Sequence, residues 1–119
     1  MITKLEPRDI FIFGSNLAGR HGAGAAYQAR VQFGAEYGVG EGLTGQCYAF
    51  PTLDGNLKKL SVARMAMARD RLYDCCIANP EKRFLLTKVG CGLAGHGETM
   101  MRSLFWPKPE NLILPEDWQ

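Results

Sequence analysis

The sequence predicts an α/β protein, a three-layer α/β/α domain built on a mainly parallel sheet of four strands or slightly more. Three observations carry this expectation. Short apolar segments alternate with segments of helical periodicity, which implies crossover connections between parallel strands. Two glycine-rich loops each follow an apolar segment and lead into a helix. The 119 residues, 46% hydrophobic and 22% charged, make one globular domain spanning 1–119.

Taken in order, residues 9–13 (DIFIF) are apolar at nearly every position, as for a strand covered on both faces. A glycine-rich loop, 14–24, follows. A helix is predicted over 25–33, where Ala26, Ala29 and Phe33 recur at helical spacing and Gly34 provides the stop. Residues 34–46 read as an irregular loop. Residues 47–50 (CYAF) form a second strand, ended by Pro51. The longest helix runs over 60–78 with Val62, Met65, Leu72, Tyr73 and Cys76 inward, and Asn79-Pro80 terminates it. Residues 84–89 (FLLTKV) are a third buried strand, followed by the second glycine-rich loop, 90–97. A third helix over 98–105 carries Met100, Met101, Leu104 and Phe105 on its apolar face. Residues 111–114 (NLIL) are a fourth strand, ended by Pro115.

The totals exclude several classes of function. A net charge of +2 is too small to mark a nucleic-acid binder. The run Lys58, Lys59, Arg64, Arg69 and Arg71 reads as a solvated face. Cys47, Cys75, Cys76 and Cys91 form no CxxC pair and have no histidine at ligand spacing, so neither a zinc site nor a disulfide framework is expected. The methionines and the adjacent Cys75 and Cys76 read as packing. The first residues hold no apolar run of signal-peptide length, and no stretch approaches the ~20 apolar residues of a membrane span. The expected setting is cytoplasmic, and no cofactor is implied.

Glycine is the outlier: of 14 glycines, eight fall in the two loops. In doubly wound sheets ligands bind outside the carboxyl ends of the strands, where both loops are expected. The first loop, Gly14-Ser15-Asn16-Leu17-Ala18-Gly19-Arg20-His21-Gly22-Ala23-Gly24, enters a helix whose N-terminal amides favour an anion. Its plain alternative is a tight turn in which Ser15 and Asn16 cap that helix. The second, Gly90-Cys91-Gly92-Leu93-Ala94-Gly95-His96-Gly97, matches GxGxxG between a strand and a helix. Together the two loops are expected to grip a diphosphate from opposite sides of one crevice. The chain's two histidines, His21 and His96, lie one in each loop and are the candidate acid–base groups. Cys91 is a weak candidate nucleophile beside a helix start. Among aromatic residues near strand ends, Phe50, Trp106 and Trp118, the last is the best placed to stack on a base.

The strings FIFGSNLAGRHGAGAA, GEGLTGQCYAFPT and KVGCGLAGHG together resemble a family of small phage-related proteins with a macrodomain-like fold. The resemblance runs from Asp9 to about Pro115. It implies that the small-molecule ligand is ADP-ribose or a close relative. By the resemblance, Asn16 would contact the distal ribose, and Gly22, Ala23 and Gly24 would offer amides to the diphosphate. Gly92, Leu93, Ala94 and Gly95 would close over it. The stretch before the first strand is too short for the upstream strand and acidic residue with which macrodomains usually grip adenine. Leu53 stands where related sequences tend to show a lysine, and the second loop ends in His96 where some de-ADP-ribosylating members carry an acid. The resemblance therefore implies a binding module. An ADP-ribosyl hydrolase using the loop histidines is the alternative, and a Rossmann-type redox domain around GCGLAG fits less well, because only one short strand follows the fingerprint.

Overall fold

The computed structural model describes residues 2–119. Its first strand, β1 (Asp9–Asn16), is buried along almost all its length because both of its faces are covered. Alternate side chains divide between two apolar clusters. Ile10 and Ile12 join Tyr48, Phe50, Phe84 and Leu86 in one cluster, and Phe11 and Phe13 join Ala29, Cys47 and Ala49 in the other. Each fully buried phenylalanine contributes roughly 1.5–3 kcal/mol through removal from water.

The chain continues through α1 (Gly24–Gln32), β2 (Gly42–Thr44), β3 (Cys47–Leu53), α2 (Val62–Ala78), β4 (Arg83–Leu86), α3 (Glu98–Leu104) and β5 (Leu112–Ile113). These form a five-stranded mixed sheet in the order β2-β3-β1-β4-β5. β1 pairs in parallel with β3 and β4, β4 pairs in parallel with β5, and β2 runs antiparallel to β3. Ala29 of α1 packs into the smaller cluster. Met65, Leu72 and Cys76 of α2, with Met101 and Leu104 of α3, pack into the larger.

Several boundaries differ from the sequence expectation, each for a tertiary reason. β2 lies inside the segment read as a loop; three residues are too few to carry a period. β1 runs on through Gly14, Ser15 and Asn16, which pair with Phe50, Pro51 and Leu53 across an irregularity at Ser15/Asn16. Pro51 does not end β3. The pairing of β3 with β2 reaches no further than Ala49, so Pro51 lies where that side of β3 has become an edge and a missing N–H breaks no ladder. β4 stops at Leu86, and Thr87 gives both its N–H and its hydroxyl to the Ile12 carbonyl (3.3 and 2.8 Å).

The helix α2 begins as the rules require, with Ser61 as N-cap accepting from the Arg64 N–H at 3.2 Å. Its buried residues are Met65, Ala68, Leu72 and Cys76. Val62, expected inward, is exposed because it sits in the first turn, ahead of that stripe. Trp118 is the larger correction. The chain ends in a 3-10 turn, Glu116–Trp118, that folds the indole into the core at 1% exposure. There it stacks on Phe105, centroids 6.4 Å apart, and its Nε1–H donates to Glu98 at 3.2 Å. An indole has a large apolar area to bury, and the 3-10 turn carries this one over the core, whereas the indole of Trp106 stays half exposed. Among the described residues no helix is long and apolar enough to cross a membrane.

Candidate functional site

The sequence of strands crosses back over β1: β3 lies on one side of it and β4 on the other, so the loops after β1 and β4 leave side by side at a topological switch point. The two glycine-rich loops meet there. A Cβ placed on Gly14 would lie 3.3 Å from the Gly90 nitrogen and 3.6 Å from the Val89 Cα. A side chain there would press on the Gly90 backbone, which would have to give by a few tenths of an ångström. Above it opens a cleft of about 690 Å³, within the range of small-molecule sites.

The first loop contributes Gly14, Ser15, Asn16, Gly22, Ala23 and Gly24 to the lining, and the second contributes Gly90, Gly92, Leu93 and Ala94. These are sequence-predicted residues, brought to one place. The sequence reading missed Arg20, Thr52, Leu53, Leu57, Thr87, Lys88 and Val89, which with Ala25 and Ala26 complete the walls. Arg20 lies within the recognised motif and was readable as a charge there. Leu57 carries no local signal, since its part depends on how residues 53–59 fold back.

The loop conformations follow from particular bonds. Ser15 donates its hydroxyl to the Gly40 carbonyl, and Asn16 accepts from the Arg20 N–H (3.1 Å) while donating to the Arg20 carbonyl (3.0 Å). Both side chains therefore fix the loop, and neither caps α1. The helix begins at Gly24 with Ala23 as an extended N-cap and no side-chain bond to its first-turn amides. Those amides stand at the cleft wall beside Ala25 and Ala26, with no acidic side chain in the first turn. Among the described residues no carboxylate lines the cleft. Its two cations are Arg20, which makes no ion pair among the described residues, and Lys88. Lys88 is tethered to Asp117 (2.5 Å) and Glu98 (2.9 Å), which push its pKa up to about 12.

Four residues expected at the ligand do not line the cleft. Gly19 is buried against the backbone of Gly38 and Val39. Gly95 lies beside the Lys59 side chain. Cys91 turns its thiol to the Val89 carbonyl at 3.6 Å, and burial, followed by the charge of Glu98, raises its pKa. A thiol held protonated in this way is the reverse of an activated nucleophile. Trp118 is in the core, as described.

Neither histidine lines the cleft. His21 is fully buried between the rings of Phe13 (5.0 Å) and Tyr37 (6.0 Å), and its Nε2–H donates to the Val39 carbonyl at 3.1 Å. Its Nδ1 has no partner among the described residues. His96 donates from Nε2 to the Thr52 carbonyl at 2.9 Å, joining the second loop to β3. Both imidazoles are loop fasteners. The sequence brought each to the correct loop but could not say which way its ring would turn. Among the described residues no group of histidines, cysteines and carboxylates could hold a metal ion.

Burial holds the His21 imidazole below its ordinary pKa; the nearby Arg30 charge adds to this, and the Val39 bond opposes it. A histidine kept neutral by the fold gives stability that is complete above its unfolded value, about 6.5, and is lost as pH falls toward the depressed folded value. Urea unfolding of the wild type is expected to weaken on acidification below that point by up to about 1.4 kcal/mol per pH unit for this one proton. His21→Gln keeps a donor for Val39 but cannot titrate, and should lose that component. An identical pH profile for the two proteins would show that His21 does not carry it. No family model, curated protein or solved structure matches this chain.

Proposed function

We propose that this protein is a binding module for ADP-ribose or a closely related NAD-derived nucleotide diphosphate, in a macrodomain-like three-layer setting. One observation carries the reading: two glycine-rich loops from the switch point of the sheet meet over a single cleft and line it with backbone. Glycine backbone lets phosphate oxygens come within reach of N–H groups, and the uncapped start of α1 adds a partial positive charge. Arg20 supplies a full charge and a planar fork suited to phosphate. Among the described residues no carboxylate side chain lines the cleft to repel a diphosphate.

Binding without covalent chemistry is the better-supported form of this reading. Among the described residues the cleft lining contains no histidine, cysteine or carboxylate to take or give a proton. Isothermal titration of the protein with ADP-ribose is expected to give a saturable one-to-one isotherm. At a thousand times the dissociation constant the ligand should add about 4 kcal/mol to unfolding, visible as a large thermal shift. No heat and no shift at millimolar ADP-ribose would end the proposal.

A further inference from the structure

We infer that the cleft is indifferent to the identity of the nucleobase and holds it by apolar contact alone, an inference that rests on the diphosphate reading above. Side chains tell one base from another by offering free donors and acceptors in the pattern of its edge, and the hydroxyl and amide donors that these side chains turn to the protein are taken by its own backbone. Ser15 spends its proton on the Gly40 carbonyl, Thr52 on that of Ser15 (3.3 Å) and Thr87 on that of Ile12 (2.8 Å). Asn16 uses both ends of its amide on the Arg20 backbone. Lys88 is bound to two carboxylates. Arg20 remains; on the diphosphate reading its donors go to phosphate, and were they free they would match the paired acceptors of guanine, which the titration includes.

The cleft mouth offers instead two exposed leucines. Leu93, in the second loop, is 90% exposed, and Leu57, from the segment after β3, is 55% exposed. Leu57 is also the one non-glycine residue with a positive φ (62°) among the described residues. Its conformation is imposed. Leu53 and Lys59 bridge antiparallel, and the Asp54 carboxylate accepts from the N–H groups of Asn56 (2.8 Å) and Lys58 (3.0 Å). Leu57 itself donates its N–H to the Asp54 carbonyl at 3.1 Å. Glycine or asparagine would sit there with less strain, and leucine, more than half exposed, gains little burial in return. A strained, solvent-facing apolar side chain at a cleft wall is accounted for by contact with a ligand. Every base has a flat face that an apolar lip can cover, so such contact is tolerant of base identity.

The test is titration of the wild type and of Leu57→Asn with the diphosphoriboses of adenine, guanine, hypoxanthine and cytosine, together with melting of both unliganded proteins. The wild type should bind all four within about tenfold of one another, whereas a site that reads hydrogen bonds separates such ligands by far more. Leu57→Asn should weaken all four alike, by roughly five- to twentyfold for loss of a leucine contact, while the unliganded variant melts no lower than wild type because the strain is relieved. A preference beyond about tenfold for one base, or an effect of Leu57→Asn confined to some of them, overturns base indifference and leaves the diphosphate reading standing. An unchanged set of affinities in Leu57→Asn overturns the part given to that residue. If none of the four binds, ADP-ribose included, the diphosphate reading itself has failed.

Discussion

Replacing Gly22 with leucine is expected to abolish ADP-ribose binding at concentrations that saturate the wild type, while the unliganded protein melts within about 3 °C of it. The same is expected of Gly92→Leu. Both glycines line the cleft, and neither has a φ in the left-handed region. A Cβ built on either meets nothing within 4 Å, so the fold has no objection to a side chain. A ligand would. The branched chain stands between the loop amides and an approaching phosphate, and each charge-assisted hydrogen bond lost costs about 1.5–3 kcal/mol. Two such bonds amount to a loss of about a hundredfold or more. Full affinity in both variants would mean that the ligand does not touch these loops, and the proposed site would have to be abandoned.

The opposite behaviour is expected at Gly19, which belongs to the same motif but not to the cleft. Gly19→Ala should destabilise the protein by about 3–5 kcal/mol, near the top of the range for single substitutions, and lower its melting temperature by about 12–20 °C. The residue has φ +70°, and an added Cβ would fall 2.2 Å from the Gly38 carbonyl carbon and 2.5 Å from the Val39 nitrogen. Neither segment can step aside. Gly38 donates its N–H to the Gly19 carbonyl at 2.9 Å, His21 holds the Val39 carbonyl, and Ser15 holds that of Gly40. The loop and residues 38–40 are fastened at three successive points. Gly22→Ala serves as the control, with a change within about 0.5 kcal/mol. Melting of Gly19→Ala within about 3 °C of wild type would show that the fastening gives way easily and that the first loop is not rigid. The two glycines thus divide the motif: one is kept for what approaches it from outside, the other for the backbone already pressed against it.

That division was not readable along the chain. GSNLAGRHGAG announces a tight strand-to-helix connection, and GCGLAGHG announces another. Alternation of apolar segments with helical ones is enough to bring both to the carboxyl edge of a parallel sheet. The pairing of β1 with β3 and β4 and the junction of Gly14 with Gly90 agree with that expectation.

What the sequence by itself determined, then, was the alternation of elements and the position of the loops, since both depend on patterns within ten or so consecutive residues. Tertiary structure alone decided where the side chains of those loops point. Ser15 finds its acceptor 25 residues away, His21 finds Val39 at 18 and His96 finds Thr52 at 44. A polar side chain takes the nearest unsatisfied partner once the chain has folded, and a large ring such as that of Trp118 takes the core. Neither choice is encoded by neighbours in sequence, so histidines that looked poised for chemistry became fasteners, and a leucine without any local mark came to stand at the mouth of the cleft.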